Sequence, residues 1–218
     1  MKTIICSDCH GRPDLLTNVI KHSGYDSDQD RLIFAGDLVD IGHDPISCLE
    51  ILKRHNTELL WGNHDLARYM GNPIWPQSSY DPEVYEAIYN SRHDFQIATI
   101  VGEDILVTHA GLGERFYNIY FKPYDDIEYV CDVLNSLSLQ DFWNDYSPVW
   151  YRPNNYDRLV TYFEQICGHT PPTADNGLMD IGVDPYTRTG FESKDRFRYA
   201  LVENNTISII DSNYDQKL

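Results

Sequence analysis

Short apolar runs alternate with polar stretches along this chain, and several of the runs stop on residues able to carry chemistry. Met1 to Cys6 reads as a strand that ends at Ser7-Asp8-Cys9-His10-Gly11. Residues i and i+2 of an extended chain share a face, so Asp8 and His10 can reach one point while Gly11 lets the backbone turn away. Pro13 suits a first helical turn, and Leu15, Leu16, Val19 and Ile20 recur at helical spacing, predicting an amphipathic helix up to about His22. Leu32 to Ala35 is a continuous apolar run of the kind buried on both faces, followed by Gly36-Asp37-Leu38-Val39-Asp40. Asp44 and Pro45 form an N-cap and N1 pair for a helix through Ile46, Leu49, Ile51 and Leu52 to about Asn56. Glu58 to Trp61 is a third strand, ending at Gly62-Asn63-His64-Asp65. The order strand, helix, strand, helix, strand is that of a parallel or mixed sheet covered by helices.

The second half is less regular. Residues 66 to 94 read as helical and irregular, with Pro73, Pro76 and Pro82 as breakers. Phe95 to Val101 and Ile105 to Thr108, joined by Gly102-Glu103-Asp104, predict a hairpin whose second strand ends at His109. Residues 113 to about 150 are rich in Tyr, Phe and Trp without strict periodicity, which suits helices and loops lying over the site, with ordinary packing as the role of most of the aromatics. Asp157 to Phe163 can be helical, and Gln165 to Cys167 is a short strand stopped by Gly168-His169-Thr170-Pro171-Pro172. Residues 173 to 195 form a long connection, and Phe197 to Glu203 with Thr206 to Asp211 close the chain as strands around Asn204-Asn205. No repeat, low-complexity tract or linker interrupts it, so a single domain over residues 1–218 is expected.

Charge narrows the partners. Seventeen basic against 34 acidic side chains leave a net charge of −17, which opposes binding to duplex nucleic acid or to anionic membranes. Five cysteines at 6, 9, 48, 131 and 167 are too scattered for a disulfide framework, and no apolar run approaches the ~20 residues of a membrane span. The expectation is a cytoplasmic protein. Cys6, Cys9 and His10 also spell the CxxCH of a c-type haem attachment site, but the apolar run before Cys6 is too short for an export signal, and that reading leaves the other Asp and His clusters without a role. Asn204-Asn205-Thr206 matches a glycosylation sequon and is more simply a hairpin turn.

Five clusters, Asp8/His10, Asp37/Asp40, Asn63/His64, His109 and His169, stand at strand ends and could meet at one pole of a sheet, where α/β proteins gather ligands. Imidazole with carboxylate oxygen suits Mn, Fe or Zn, and the number of ligands fits two ions. The ordered blocks SDCHG (7–11), GDLVDIG (36–42), GNHD (62–65), THAG (108–111) and GHTP (168–171) resemble those of the calcineurin-like metallophosphoesterases. Val149-Trp150-Tyr151-Arg152 further resembles the WxR element of bacterial and phage serine/threonine phosphatases and of symmetrical dinucleoside polyphosphate hydrolases.

This resemblance implies an α/β protein built as a four-layer α/β/β/α sandwich with mixed sheets. It implies that Asp8 and His10 hold a first metal, that Asp37 bridges both ions and that Asn63, His109 and His169 hold the second. His64 would be a general acid paired with Asp40, and Arg152 would bind phosphate. The cofactors would be two divalent or trivalent ions, Mn foremost, with Fe, Zn or Ni as alternatives, and the reaction an in-line attack by a metal-bridging hydroxide. The expected substrate is phosphorylated: a phosphoprotein, a nucleotide or a small phosphoester. A phosphatase of the serine/threonine type is the first reading, with a dinucleoside polyphosphate or phosphodiester hydrolase as the alternative. From a different class, a metal-binding scaffold without turnover is the third. The chain departs from relatives that act on phosphoproteins at Ile41 and Trp61, where they carry Arg, and at Asp65, where they carry Glu. Part of a cationic phosphate clamp is therefore missing, with Arg12 or Arg68 as candidates to replace it.

Overall fold

The computed structural model describes residues 1–72, 74, 81–152, 157–170, 179–180 and 197–211, and its strands fall into two sheets. Numbered along the chain, the strands are β1 (Thr3–Cys6), β2 (Arg31–Phe34), β3 (Glu58–Leu60), β4 (Phe95–Gln96), β5 (Ala98–Val101), β6 (Ile105–Thr108), β7 (Glu164–Cys167), β8 (Met179–Asp180), β9 (Arg198–Glu203) and β10 (Thr206–Asp211). One sheet has the order β10-β9-β1-β2-β3-β4 and the other β5-β6-β7-β8. Both are mixed: β1 to β4 pair in parallel while β9 and β10 run antiparallel, and β6, β7 and β8 are parallel beside an antiparallel β5.

The apolar runs explain the layering. Ile4, Leu32, Phe34 and Leu106 join the core shared with the helices, whereas their neighbours Ile5, Ile33, Ala35 and Val107 join a second core that lies between the sheets. A strand covered on both sides needs apolar residues at consecutive positions, and the result is a four-layer α/β/β/α sandwich.

The helices are α1 (Pro13–Ser23), α2 (Pro45–Arg54), α3 (Asn63–Tyr69), α4 (Pro82–Ser91), α5 (Glu114–Tyr120) and α6 (Ile127–Ser136). Gly24, at φ +58°, ends α1 in the left-handed turn expected of a helix C-terminus. Asp44 caps α2 by accepting a hydrogen bond from the Ser47 N–H at 3.0 Å. Asn204 and Asn205 have φ of +50° and +59°, the two left-handed residues that a tight hairpin turn requires. The aromatics of 113–150 mostly pack: Phe116, Tyr117 and Phe142 are buried.

Three expectations change. Phe95 to Val101 is not one strand, because β4 pairs with β3 and β5 pairs with β6, so the chain leaves one sheet for the other at Ile97. Asn135 of α6 holds the crossing, its Oδ1 accepting from Ile97 N at 2.9 Å and Ala98 N at 3.1 Å, its Nδ2 donating to Ala98 O at 2.9 Å. Asp157 to Phe163 is not helical. Its backbone runs beside residues 112–114, with Val160 N donating to Leu112 O at 3.0 Å and Glu114 N to Arg158 O at 2.7 Å. The Gln165 amide ties these two segments together, bonding Leu112 N, Leu112 O and Val160 O. The helix after β3 starts at Asn63 rather than at residue 66. Within the long connection 173–195, Met179–Asp180 adds β8 beside β7; the rest of it, with Pro73, Pro76, Pro171 and Pro172, lies outside the described residues.

All five cysteines are buried as thiols. Cys6 and Cys9 are core members with at most 1% exposure, so the CxxCH spacing offers no thiol to a haem. Burial also pushes Cys6 up to about 12, the opposite of a reactive thiolate. Among the described residues no helix is long and apolar enough to cross a membrane.

Candidate metal centre

The five clusters meet, but at the ends of strands from both sheets. Asp8 and His10 follow β1, Asp37 and Asp40 follow β2, and Asn63 and His64 open α3 after β3. His109 follows β6 and His169 follows β7, both in the other sheet. β1, β2 and β7 end in sharp turns: Asp8, His10, Asp37, Asp40, Ile41 and His169 all have φ between +44° and +70°. Side chains other than glycine pay for that conformation, and such residues concentrate where a surrounding framework over-determines them.

The framework is visible. The turn after β1 is hydrogen-bonded to the turn after β2, Asp8 N donating to Gly36 O at 2.8 Å, His10 N to Asp37 O at 3.0 Å and Gly11 N to Leu38 O at 2.7 Å. Asp65 holds the second turn from below, its carboxylate accepting from Asp37 N at 2.8 Å, Leu38 N at 2.9 Å, Val39 N at 3.1 Å and Gly62 N at 3.2 Å. Gly36 and Gly62 touch back to back, and a Cβ on Gly36 would lie 2.5 Å from Gly62 Cα and 2.9 Å from His109 Nδ1.

Within this frame the side chains converge on Asp37. His109 donates its Nδ1–H to Ala35 O at 2.7 Å, so that in the neutral ring Nε2 is the bare nitrogen, 3.0 Å from Asn63 Oδ1, 3.2 Å from His169 Nδ1 and 3.5 Å from Asp37 Oδ2. His10 donates its Nδ1–H to Val39 O at 2.9 Å, leaving Nε2 3.7 Å from the same Asp37 oxygen. Asp8 accepts from the His169 backbone N–H with both oxygens, at 3.1 and 3.2 Å. Among the described residues two groups have ligand atoms within 4.8 Å of one another, His10/Asp37/His64 and Asp37/His109/His169, and Asp37 belongs to both. Imidazoles fixed through Nδ1 to carbonyl oxygens, with bare nitrogens turned toward a carboxylate and each other, form a donor set that fits metal ions.

Electrostatics say the same. Burial alone would raise the Asp37 carboxyl, but the charges of His109, His64 and His10 hold it well below the usual carboxylate range. Asp8, beside that anion and fully buried, is pushed up. Burial opposes the imidazolium of His109, yet the Asp37 and Asp8 carboxylates outweigh it and hold His109 at about 9, whereas burial and the charges of His109 and Arg152 push His169 well below its ordinary value. Burial and the Asp37 charge bring Asp65 up to about 6 against its backbone donors. A cluster that draws a proton onto one buried imidazole is short of positive charge.

His64 differs from the other imidazoles. Its side chain keeps 14% exposure where those of His10 and His109 have 2% and none, and its Nε2 stands 4.0 Å from Asp37 Oδ2. Its Nδ1 lies 2.8 Å from Asp40 Oδ2, and although burial disfavours the imidazolium, Asp37 and Asp40 raise it above the ordinary histidine range. The second Asp40 oxygen accepts from Arg68 Nη2 at 2.8 Å. Arg12 is held by Asp14 through Nε at 2.9 Å and Nη2 at 2.6 Å. Arg152 is exposed and near enough for its charge to disfavour the His169 imidazolium.

The sequence marked Asp65 only as a departure from Glu and Arg68 only as a candidate phosphate binder, whereas the structure has Asp65 holding the turn after β2 and Arg68 bonded to Asp40. An acid three residues into a helix that opens with Gly62 could have been read as a binder of backbone N–H groups, and Arg68 stands one helical turn after His64.

Residues 1–202 match the family model described as calcineurin-like phosphoesterase, and the chain belongs to that family. Among curated relatives, a symmetrical bis(5'-nucleosyl)-tetraphosphatase of Actinobacillus pleuropneumoniae serotype 5b (strain L20) is 40% identical over 68 residues, covering 30% of this chain and 25% of the relative. A serine/threonine-protein phosphatase T of Aspergillus oryzae is 28% identical over 120 residues, covering 51% of this chain and 25% of the relative. The matches thus span about a quarter of the length of these two relatives. The fold is shared with a cold-active protein-tyrosine phosphatase of a psychrophilic Shewanella, at a TM-score of 0.68 and 17% identity over 96% of this chain and 80% of that one.

Proposed function

We propose that this chain is a dinuclear-metal phosphoester hydrolase of the serine/threonine-phosphatase-like group, with Mn as the working metal. The observation that carries the reading is the single Asp37 oxygen reached by His109 at 3.5 Å, His10 at 3.7 Å and His64 at 4.0 Å. Asp8, His10 and Asp37 would hold one ion, and Asp37, Asn63, His109 and His169 the other. When bound, the ions supply Lewis acidity at the phosphoryl oxygens and an activated water for in-line attack. The protein supplies the rest. Arg152 would steady non-bridging phosphate oxygens from the solvent side. His64, anchored through Nδ1 to Asp40, would present Nε2–H to the leaving oxygen as a general acid.

A second substrate reading has its own support. The more similar relative, at 40% identity, is named for a dinucleoside tetraphosphate, and Ile41 and Trp61 stand where relatives acting on phosphoproteins carry arginine. The test is turnover of phosphopeptides, aryl mono- and diesters and dinucleoside polyphosphates by protein loaded with Mn, Ni, Mg or Zn. Fastest hydrolysis of phosphopeptides is expected. A clear preference for dinucleoside polyphosphates would move the assignment to that class, and no turnover with any metal would leave a binding scaffold instead of an enzyme.

A further inference from the structure

Asp40 offers one oxygen to His64 and the other to Arg68, at 2.8 Å each. His64 and Arg68 are four residues apart on α3, so they project from one face of the same helix and meet the carboxylate together. Arg68 is 5% exposed and Asp40 6%. A guanidinium that deep is costly unless it is matched, and Nη2 is committed to Asp40 rather than to a substrate. Asp40 itself sits on strained backbone, at φ +70° before Ile41 at +62°. A carboxylate held by one imidazole alone is free to rotate about its Cβ–Cγ bond, and a charged donor on its second oxygen removes that freedom.

We infer that Arg68 is a positioning residue for proton delivery: by gripping one oxygen of Asp40 it fixes the other on His64 Nδ1 and so aims His64 Nε2 at the leaving group. The inference rests on the general-acid reading of His64, and the experiment separates the two. Arg68→Met, Arg68→Lys and His64→Asn are compared with the wild type on phenyl phosphate, whose leaving oxygen needs a proton, and on 4-nitrophenyl phosphate, whose leaving oxygen scarcely does. Bound metal is counted in each protein.

Arg68→Met is expected to lower kcat on phenyl phosphate about tenfold and on 4-nitrophenyl phosphate less than about twofold, with KM and metal content unchanged. Arg68→Lys, which restores one charged donor, should recover part of the loss. In proton NMR spectra of the metal-free protein, the hydrogen-bonded His64 Nδ1–H, identified by its absence in His64→Asn, should broaden or move upfield in Arg68→Met. If Arg68→Met does not fold, Arg68→Gln keeps a donor without the charge and carries the same comparison. Equal slowing of both esters, a raised KM, or an unchanged His64 resonance with unchanged rates would overturn the role of Arg68. His64→Asn showing the leaving-group bias while Arg68→Met lacks it would remove Arg68 alone; His64→Asn without the bias would remove both readings.

Discussion

The two ends of the sandwich solve opposite problems with the same kinds of residue. At the end where β2 and β3 begin, Arg31 grips Glu58 with Nε and Nη2 at 2.8 Å each and donates to Ile100 O at 3.0 Å, tying the two sheets together. Thr99 Oγ1 donates to Glu58 Oε2 at 3.0 Å, so both charges of this pair have an opposite or a donor beside them. The pair is partly exposed, at 30% and 35%. At the end where the strands stop, Asp8 and Asp37 are each 2% exposed, stand on left-handed backbone and repel one another. Charge at the first end serves the fold. Charge at the second end is held against the preference of the chain by Asp65, the glycine contact and the paired turns, and is available for binding something positive.

Substitutions at the two ends should therefore fail in different ways. Asp37→Asn should have the largest effect, lowering turnover at least about a hundredfold and emptying metal sites, as metal analysis and steady-state rates would reveal. If the variant held two ions per chain and turned over normally, Asp37 would not be shared between them. Arg152→Ala should lower kcat/KM about ten- to a hundredfold while metal content stays intact, since a charged hydrogen bond to phosphate contributes about 1.5–3 kcal/mol. Arg31→Ala, at the opposite end, should leave kcat and metal content alone and lower unfolding free energy by about 1–2 kcal/mol in a denaturant titration. A loss of metal from that variant would break the contrast between the two ends. Ile41→Gly should be smallest, raising stability by up to about 1 kcal/mol, because a β-branched residue at φ +62° is strained and glycine is not, less the entropy glycine gains on unfolding. An unchanged or lower Tm would mean that the Ile41 side chain contributes more packing than its backbone conformation costs.

What could be read from the amino acids alone was the part governed by local pattern. Consecutive apolar residues in β2 marked a strand buried on both faces, Asp44-Pro45 marked the start of α2, and Asp, Asn and His at strand ends marked residues that meet in one cluster. What escaped depends on partners far along the chain. The break at Ile97 is made by Asn135, 38 residues away, and the extended path of 157–163 by Gln165 and the 112–114 backbone. The clusters were expected at one pole of a sheet, yet His109 and His169 come from the second sheet, an arrangement that no periodicity encodes. Asp65 was noticed only for differing from Glu, and its bonds to Asp37, Leu38 and Val39 depend on how α3 approaches the turn after β2.

The hydrogen bonds between Asp8 and the His169 backbone join residues 161 positions apart. During synthesis on a ribosome, Asp8, His10, Asp37 and Asn63 emerge long before the histidines that complete the set. The centre cannot close on a half-made chain, and loops of that length are slow to form. The proposed turnover of phosphoesters is thus expected to be absent until His169 has cleared the exit tunnel, which ribosome-stalled chains of increasing length, assayed for turnover, would reveal as a step rather than a ramp.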